Sequence, residues 1–261
     1  MTAPSSSSSS SSSYAATQFG APLGEYRASA LRIVLIVAGM LSLAAAIVIG
    51  GIFGLAAMSP DSATGDLVSG VILTVLFLAA AIYCFVTVYR WRGAHAQLFE
   101  RGFSIARGGK SLAGHWDDVA SVIQRAFQMR YYGIPIYTSH TYTVITLDGS
   151  KIKVDNAFGK VGKLGDTIQR LSANALLPRA IAAYHSGATL PFGKLSVSQA
   201  GISNGKQTLP WSDLNQLTLR NGYVLITRKG KMLRWTSTPI SATPNLYVLT
   251  ALVGYIQRGV R

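Results

Sequence analysis

Two long uncharged segments dominate the first third of the chain. Residues 33–58 and residues 67–89 contain no charged side chain over 26 and 23 positions. At about 1.5 Å per residue, a helix of either length crosses a hydrocarbon core about 30 Å thick. The short polar segment 59–66 separates them, so the pattern predicts a transmembrane hairpin within residues 30–93. Two helices buried in a soluble core are the alternative, which two such runs in succession disfavour.

The flanking charges predict the orientation of this hairpin. Arg27 and Arg32 precede it, Arg90 and Arg92 follow it, and segment 59–66 has no Lys or Arg. Because cytoplasmic flanks carry an excess of basic residues, the chain is expected to be a multi-pass protein of the cell membrane, with both termini and the soluble modules in the cytoplasm. The predicted membrane-interface anchors are Arg32, Tyr89, Arg90, Trp91 and Arg92.

The chain before the hairpin is low in complexity. Nine consecutive serines, Ser5–Ser13, precede a stretch rich in Ala, Gly and Pro. Such a composition offers little apolar surface to offset the entropy of ordering, so residues 1–29 are predicted to be a disordered tail.

After residue 94 the pattern changes to short β-prone segments separated by Gly-containing turns. Residues 141–147 and 151–154 flank Asp148-Gly149, a dipeptide that favours a tight β-hairpin. Residues 224–227 and 232–235 flank a second, basic turn. Helical periodicity follows each hairpin, and Pro178 is expected to break the first helix.

These features occur twice in the same order. In the first copy Gly102-Phe103-Ser104 precedes Trp116, and in the second Gly201-Ile202-Ser203 precedes Trp211. The repeat predicts two modules, residues 94–185 and 186–261, each a curved antiparallel sheet closed by a C-terminal helix. The predicted fold class is therefore a membrane α-helical hairpin plus α+β modules.

The soluble part also resembles known proteins. The order of strands and terminal helix resembles bacterial pleckstrin-homology-like (PH-like) domains. The segments 176–180, 192–198, 201–205 and 209–212, which contain Leu-Leu-Pro-Arg-Ala and Leu-Pro-Trp-Ser, are similar to a family of bacterial membrane proteins of unknown function. This resemblance implies tandem PH-like modules, and it implies no catalytic residue.

The charge distribution indicates an anionic partner. Only 13% of the residues are charged, yet the net charge is +14. Residues 94–261 carry 20 basic and 7 acidic side chains, so nearly all of the excess lies after the hairpin. A membrane surface explains this charge better than nucleic acid, because no helix concentrates Lys and Arg on one face.

Candidate catalytic chemistry is sparse. His115 with Asp117 and Asp118 is the only local cluster of histidine and carboxylates, and a turn explains it. Gly108-Gly109-Lys110-Ser111 lacks the upstream glycine of a phosphate-binding loop and is interpreted as a hairpin turn. The prediction is that the protein has no catalytic residue, no cofactor and no metal site.

Two segments are candidate contacts for a headgroup or a protein partner. The insertion 127–140, absent from the second copy, combines aromatic and cationic side chains, and residues 228–234 form a basic hairpin tip. The candidate residues are Arg130, Tyr131, Tyr132, Tyr137, Arg228, Lys229, Lys231 and Arg234. Tyrosines packed on their own sheet, and simply solvated basic side chains, are the alternatives.

The leading hypothesis is a membrane-anchored, non-enzymatic protein that presents cytoplasmic PH-like modules to lipid headgroups or to a protein. A small enzyme or sensory domain with a site between the modules is one alternative. An accessory subunit of a membrane complex is the other.

Overall fold

The computed structural model describes residues 18–58, 64–131, 134–231 and 233–259, without the side chains of residues 64–65, 126–131 and 134–138. Its two longest apolar helices are α1 (Leu31–Ala56) and α2 (Thr64–Arg90). Their mean hydropathy values are 2.8 and 2.7, and both are long and apolar enough to cross a membrane. They pack antiparallel, with Gly70 under the ring of Phe53, where an added Cβ would lie 2.1 Å from the ring.

The helical hairpin is inserted between two paired strands. Strand β1 (Pro22–Arg27) precedes α1, strand β2 (His95–Phe99) follows α2, and the two pair antiparallel from Pro22↔Phe99 to Arg27↔His95. Phe19 is also buried, at 5% exposure. The prediction of a disordered tail is therefore wrong for residues 18–29, because β1 completes the edge of a sheet and Phe19 packs against Phe99 and His115. Residues 1–17, which include the serine tract, lie outside the described residues.

The first soluble unit contains two antiparallel sheets and a helix. Strands β1, β2, β3 (Gly102–Arg107) and β4 (Lys110–His115) form one sheet in sequence order. A short 3-10 helix, Trp116–Asp118, leads to the second sheet. That sheet consists of β5 (Val119–Tyr131), β6 (Ile134–Thr146) and β7 (Lys151–Val154), and α3 (Val161–His185) follows. The hairpin predicted around Asp148-Gly149 is confirmed.

The second soluble unit has the same order of elements. Its four-stranded sheet consists of β8 (Leu190–Phe192), β9 (Leu195–Ser198), β10 (Gly201–Ser203) and β11 (Thr208–Leu209). Its three-stranded sheet consists of β12 (Leu214–Arg220), β13 (Tyr223–Arg228) and β14 (Arg234–Pro239). The 3-10 helix Ile240–Ala242 and α4 (Leu246–Gly259) complete it. Each unit thus has two sheets where one curved sheet was predicted.

The two tryptophans on which the repeat prediction rests make corresponding hydrogen bonds. The indole N–H of Trp116 donates to the carbonyl oxygen of Phe99, the last residue of β2, at 3.0 Å. That of Trp211 donates to the carbonyl oxygen of Ser198, the last residue of β9, at 2.9 Å. Both rings are buried, so each joins the end of the four-stranded sheet to the start of the three-stranded one.

Helix α3 continues through Pro178, where a break was predicted. Its first half buries Leu164 and Ile168 in the first core, and its second half packs Leu177 and Ile181 against the second. A proline within a helix removes one backbone hydrogen bond. Packing along both cores outweighs that loss, so a single helix is shared by the two units.

Asn245 forms the second connection between the units. Its backbone N–H donates to the carbonyl oxygen of Val122 on β5 at 3.0 Å. Its side-chain Oδ1 accepts from the N–H of Val122 at 2.9 Å, and its Nδ2 donates to the carbonyl oxygen of Ala120 at 2.9 Å. The amide of Asn245 therefore occupies the edge of β5 as a neighbouring strand would, at a φ of +52° that asparagine tolerates better than most residues.

We predict that Phe19→Ala destabilises the full-length protein in detergent. Phe19 lies 5.8 Å from the ring of Phe99 and 5.0 Å from that of His115, so its truncation leaves a cavity at the sheet edge. The loss of about 3 kcal/mol corresponds to a melting midpoint lower by about 6–12 °C. Leu23→Ala on β1, where the side chain is 52% exposed, is the matched control and should leave the midpoint nearly unchanged. Equal midpoints for the two variants would contradict the placement of residues 18–29.

Candidate functional site: a basic cavity beside the helical hairpin

The tip of the β3–β4 hairpin lies against the end of α2. Gly108 and Gly109 form its two-residue turn with φ values of +57° and +81°, a conformation that glycine adopts without steric cost. The N–H of Gly108 donates to the carbonyl oxygen of Arg92 at 2.8 Å. A Cβ at position 108 would lie 2.8 Å from the carbonyl oxygen of Arg90, so only glycine permits this close approach.

A cavity of about 330 Å³ opens where this turn meets the helix. Its lining comes from α2, the β3–β4 hairpin and β7. The lining residues are Tyr89, Arg90, Arg107, Gly108, Lys110, Lys151, Ile152 and Lys153. We call this feature the juxtamembrane basic cavity, because five of these residues are cationic and it lies at the end of a helix long and apolar enough to cross a membrane.

The local strand pattern explains why these cations converge. Along β7 the side chains alternate, so Lys151 and Lys153 face outward while Ile152 is buried at 4% exposure. Arg107 and Lys110 are paired across the two-residue turn. Strand β7 contacts both β3 and β4, which brings the two pairs of basic residues to one place.

One carboxylate offsets part of this charge. Asp155 accepts from Nη2 of Arg107 at 2.9 Å and lies 3.6 Å from Nζ of Lys153. Nη1 of Arg107 donates to the carbonyl oxygen of Lys153 at 3.2 Å. The third guanidinium nitrogen, Nε, is buried and has no partner within the described part of the chain. Five cations with one carboxylate leave a net charge of +4 and one free buried donor.

The predicted anchors have separate positions. Tyr89 and Arg90 line the cavity, and the guanidinium of Arg92 lies 4.2 Å from the centre of the Tyr89 ring, as in a cation–π contact. Trp91 is half-buried and packs against the first core, so it attaches α2 to the soluble unit. Nε of Arg32 is buried and has no partner among the described residues.

The predicted basic tip of the second unit lies apart from the cavity. Nη2 of Arg228 binds Oδ2 of Asp213 at 2.6 Å, while Lys229, Lys231 and Arg234 are exposed. Leu233 beside them is 83% exposed, a feature that the sequence analysis did not single out. This tip therefore remains a candidate contact surface of its own.

The candidate residues Arg130, Tyr131, Tyr132 and Tyr137 lie outside the residues whose side chains the structure describes. The backbone shows that β5 and β6 contain 13 residues each, whereas β12 and β13 contain 7 and 6. The insertion thus lengthens one hairpin, and its role in binding stays a prediction.

The histidine and carboxylate candidates for chemistry have structural partners. Oδ2 of Asp118 accepts from the N–H of His115 at 3.2 Å, and Nδ1 of His115 lies 3.2 Å from the carbonyl oxygen of Arg101. Asp117 pairs with Arg179 on α3 at 3.5 Å. Among the described residues, no three His, Cys, Asp or Glu side chains are close enough to hold a metal ion.

Sequence analysis missed Arg107, Lys110, Lys151 and Lys153 as site residues. Two signals were present: Gly108-Gly109 followed at once by a lysine, and the alternation Lys-Ile-Lys in β7. Neither signal indicates a site by itself, since the two segments are more than 40 positions apart and meet only in the folded sheet pair.

The fold and the cavity define the class: an α+β protein with two helices apolar enough to span a membrane and a basic cavity where the second of them ends. A family model described as "Family of unknown function (DUF6585)" matches residues 2–261, and the chain belongs to this family. This agrees with the predicted resemblance to an uncharacterised family and extends it over nearly the whole chain. Comparison with curated proteins and with solved structures finds no match.

We predict that Gly108→Ala releases the hairpin tip from α2. Alanine at φ +57° costs about 1 kcal/mol, and its Cβ also meets the Arg90 carbonyl oxygen. Gly109→Ala is the control, because φ is +81° there but the nearest atom lies 3.7 Å away. The melting midpoint should fall by about 2–4 °C for Gly109→Ala and by clearly more for Gly108→Ala. Faster amide exchange at residues 105–112 in Gly108→Ala alone would mark the lost contact, and equal exchange in both variants would contradict it.

Proposed function

We propose that this protein is a membrane-anchored, non-enzymatic binding protein whose soluble units lie in the cytoplasm and bind anionic lipid headgroups. The juxtamembrane basic cavity carries this proposal. It has a net charge of +4 and is lined by Tyr89 and Arg90, the last residues of an apolar helix. Each basic side chain near an anionic leaflet contributes about 1 kcal/mol of attraction.

The position of the cavity relative to the bilayer follows from chain connectivity. If α1 and α2 cross the membrane, the pairing Arg27↔His95 requires both outer ends of the hairpin to lie on one side. The cavity lies at one of these ends, so its lining reaches the headgroup layer. Basic flanks at Arg27, Arg32, Arg90 and Arg92 favour the cytoplasmic side.

We further propose that the two soluble units are copies of one PH-like module. Each consists of four strands, a Trp-bearing turn, three strands and a C-terminal helix. The matching bonds from Trp116 and Trp211 support a common origin. In the first copy the helical hairpin occupies the connection between the first two strands, which places the membrane beside that module.

A topology experiment tests the orientation. A reporter active only in the cytoplasm should be active when fused after residue 261 and inactive when inserted at residue 62. The positive-inside bias and the β1–β2 pairing both lead to this outcome. Activity at residue 62 alone would overturn the cytoplasmic assignment, and activity at both positions would overturn the membrane crossing.

Lipid selectivity tests the binding function. In full-length protein reconstituted in mixed bilayers, spin-labelled phosphatidylglycerol should associate more strongly than spin-labelled phosphatidylcholine, about threefold at low salt, and the preference should fall as salt screens the charges. In the variant Arg90→Gln/Lys110→Gln/Lys151→Gln, the ratio of phosphatidylglycerol to phosphatidylcholine association should fall close to one. Lys163→Gln/Lys194→Gln/Lys206→Gln removes the same charge from exposed positions outside the cavity and is the matched control. A ratio near one in the unaltered protein would contradict the proposal.

A further inference from the structure

We infer that the juxtamembrane basic cavity selects a phosphomonoester headgroup, a lipid with a terminal phosphate, over phosphodiester headgroups. This inference rests on the proposed function and narrows it to one ligand class. Its basis is the conjunction of excess charge, a guanidinium held in place by Asp155 and a cavity of about 330 Å³ at the end of α2.

The charge of the cavity exceeds what one phosphodiester can neutralise. A diester phosphate carries one negative charge, whereas a terminal phosphate carries about 1.5 to 2 near neutral pH and presents three acceptor oxygens. The lining provides four cationic charges beyond the carboxylate of Asp155. A phosphomonoester therefore satisfies more of the donors from a single position.

Arg107 gives the cavity a fixed donor. Its side chain is only 16% exposed, and that of Asp155, which holds it at 2.9 Å, is 14% exposed. Two of its three nitrogen atoms bind protein acceptors, and the buried Nε has none within the described residues. Each Nη atom of an arginine carries two N–H groups, so the guanidinium that Asp155 and the Lys153 carbonyl oxygen hold in place keeps further donors for a charge-assisted bond to a phosphate oxygen.

Flexible donors surround this fixed one. Lys110, Lys151 and Lys153 reach the same cavity from two strands, and their ammonium groups can adapt to the oxygens of a phosphate. The volume of about 330 Å³ is near the lower end for small-molecule sites, which suits a phosphate on a small backbone. Tyr89 from the end of α2 forms the wall nearest the apolar segment, where the glycerol end of a lipid would lie.

A competition in bilayers tests the selectivity. Full-length protein is reconstituted in phosphatidylcholine nanodiscs that contain phosphatidic acid or phosphatidylglycerol, matched for measured zeta potential, and retained lipid is counted by native mass spectrometry. We expect about fivefold or greater retention of phosphatidic acid at pH 7.5, in keeping with the stronger charge-assisted bonds of a doubly charged phosphate. Glycerol 3-phosphate in solution is the second arm, and it should displace the lipid only weakly because it lacks the membrane anchor.

The pH dependence provides an independent measurement. The second pKa of a phosphomonoester is about 6, so at pH 5 the headgroup carries one charge like a diester. The groups facing it are Arg90 and Tyr89 from α2, Arg107 and Lys110 from the hairpin, and Lys151, Lys153 and Asp155 from β7 and the turn after it. The preference should therefore disappear as the pH falls from 7.5 to 5.

Two variants separate recognition from folding. Lys110→Gln/Lys151→Gln removes two exposed charges and should reduce the preference for phosphatidic acid at least about threefold with an unchanged melting midpoint. Arg107→Lys keeps the positive charge but removes the planar guanidinium. This variant should reduce the preference for phosphatidic acid by more than Lys110→Gln/Lys151→Gln does. Lys163→Gln/Lys206→Gln is the matched control and should behave as the unaltered protein.

The outcomes distinguish this inference from the broader proposal. Equal retention of both anionic lipids, each above phosphatidylcholine, would overturn the selectivity and leave headgroup binding intact. Equal retention of all three lipids would overturn both. Strong displacement by glycerol 3-phosphate at equal concentration would assign the cavity to a soluble phosphomonoester and overturn the lipid assignment.

Discussion

The pairing of β1 with β2 is the constraint on which the rest of the molecule depends. The two strands are separated by the whole helical hairpin, yet Arg27 lies opposite His95. Both outer ends of the hairpin are therefore fixed to one sheet edge, and α1 and α2 leave the soluble unit side by side. The third and fourth strands continue that sheet and place the Gly108 turn against the end of α2, so the basic cavity exists because the helical hairpin is part of the fold.

The two soluble units are joined in a way that a flexible linker would not provide. Helix α3 contributes Ile168 to the first core and Ile181 to the second, and Asn245 holds the edge of β5. A further bond from Tyr247 on α4 to Asp166 on α3 spans the same junction. Burial is the main cause and this bond to the Asp166 carboxylate the second, and together they raise the pKa of Tyr247 to about 12. The hydroxyl of Tyr247 therefore stays protonated and remains a donor at any physiological pH. The position of the first unit thus determines the orientation of the second.

The sequence was most informative where structure depends on neighbours along the chain. Hydropathy located α1 and α2, and Asp148-Gly149 identified a hairpin because a two-residue turn depends on local φ values. It failed where distant segments decide the outcome. Strand β1 is stabilised by a partner nearly 70 positions later, Pro178 is tolerated because two cores pack along one helix, and the cavity combines Arg90, Lys110 and Lys151 from three elements.

The arrangement of charge in the first unit argues for a ligand more strongly than the total charge does. Side chains of like charge are usually dispersed over a surface, because their mutual repulsion raises the free energy of the folded state. Here Asp155 satisfies only part of Arg107, and four further cations line the same cavity. In water their repulsion is screened by salt, but beside an anionic leaflet the same cluster becomes attractive. If α2 spans a membrane, as we propose, the net charge at its end is stabilised by the anionic surface that the helix itself brings within reach.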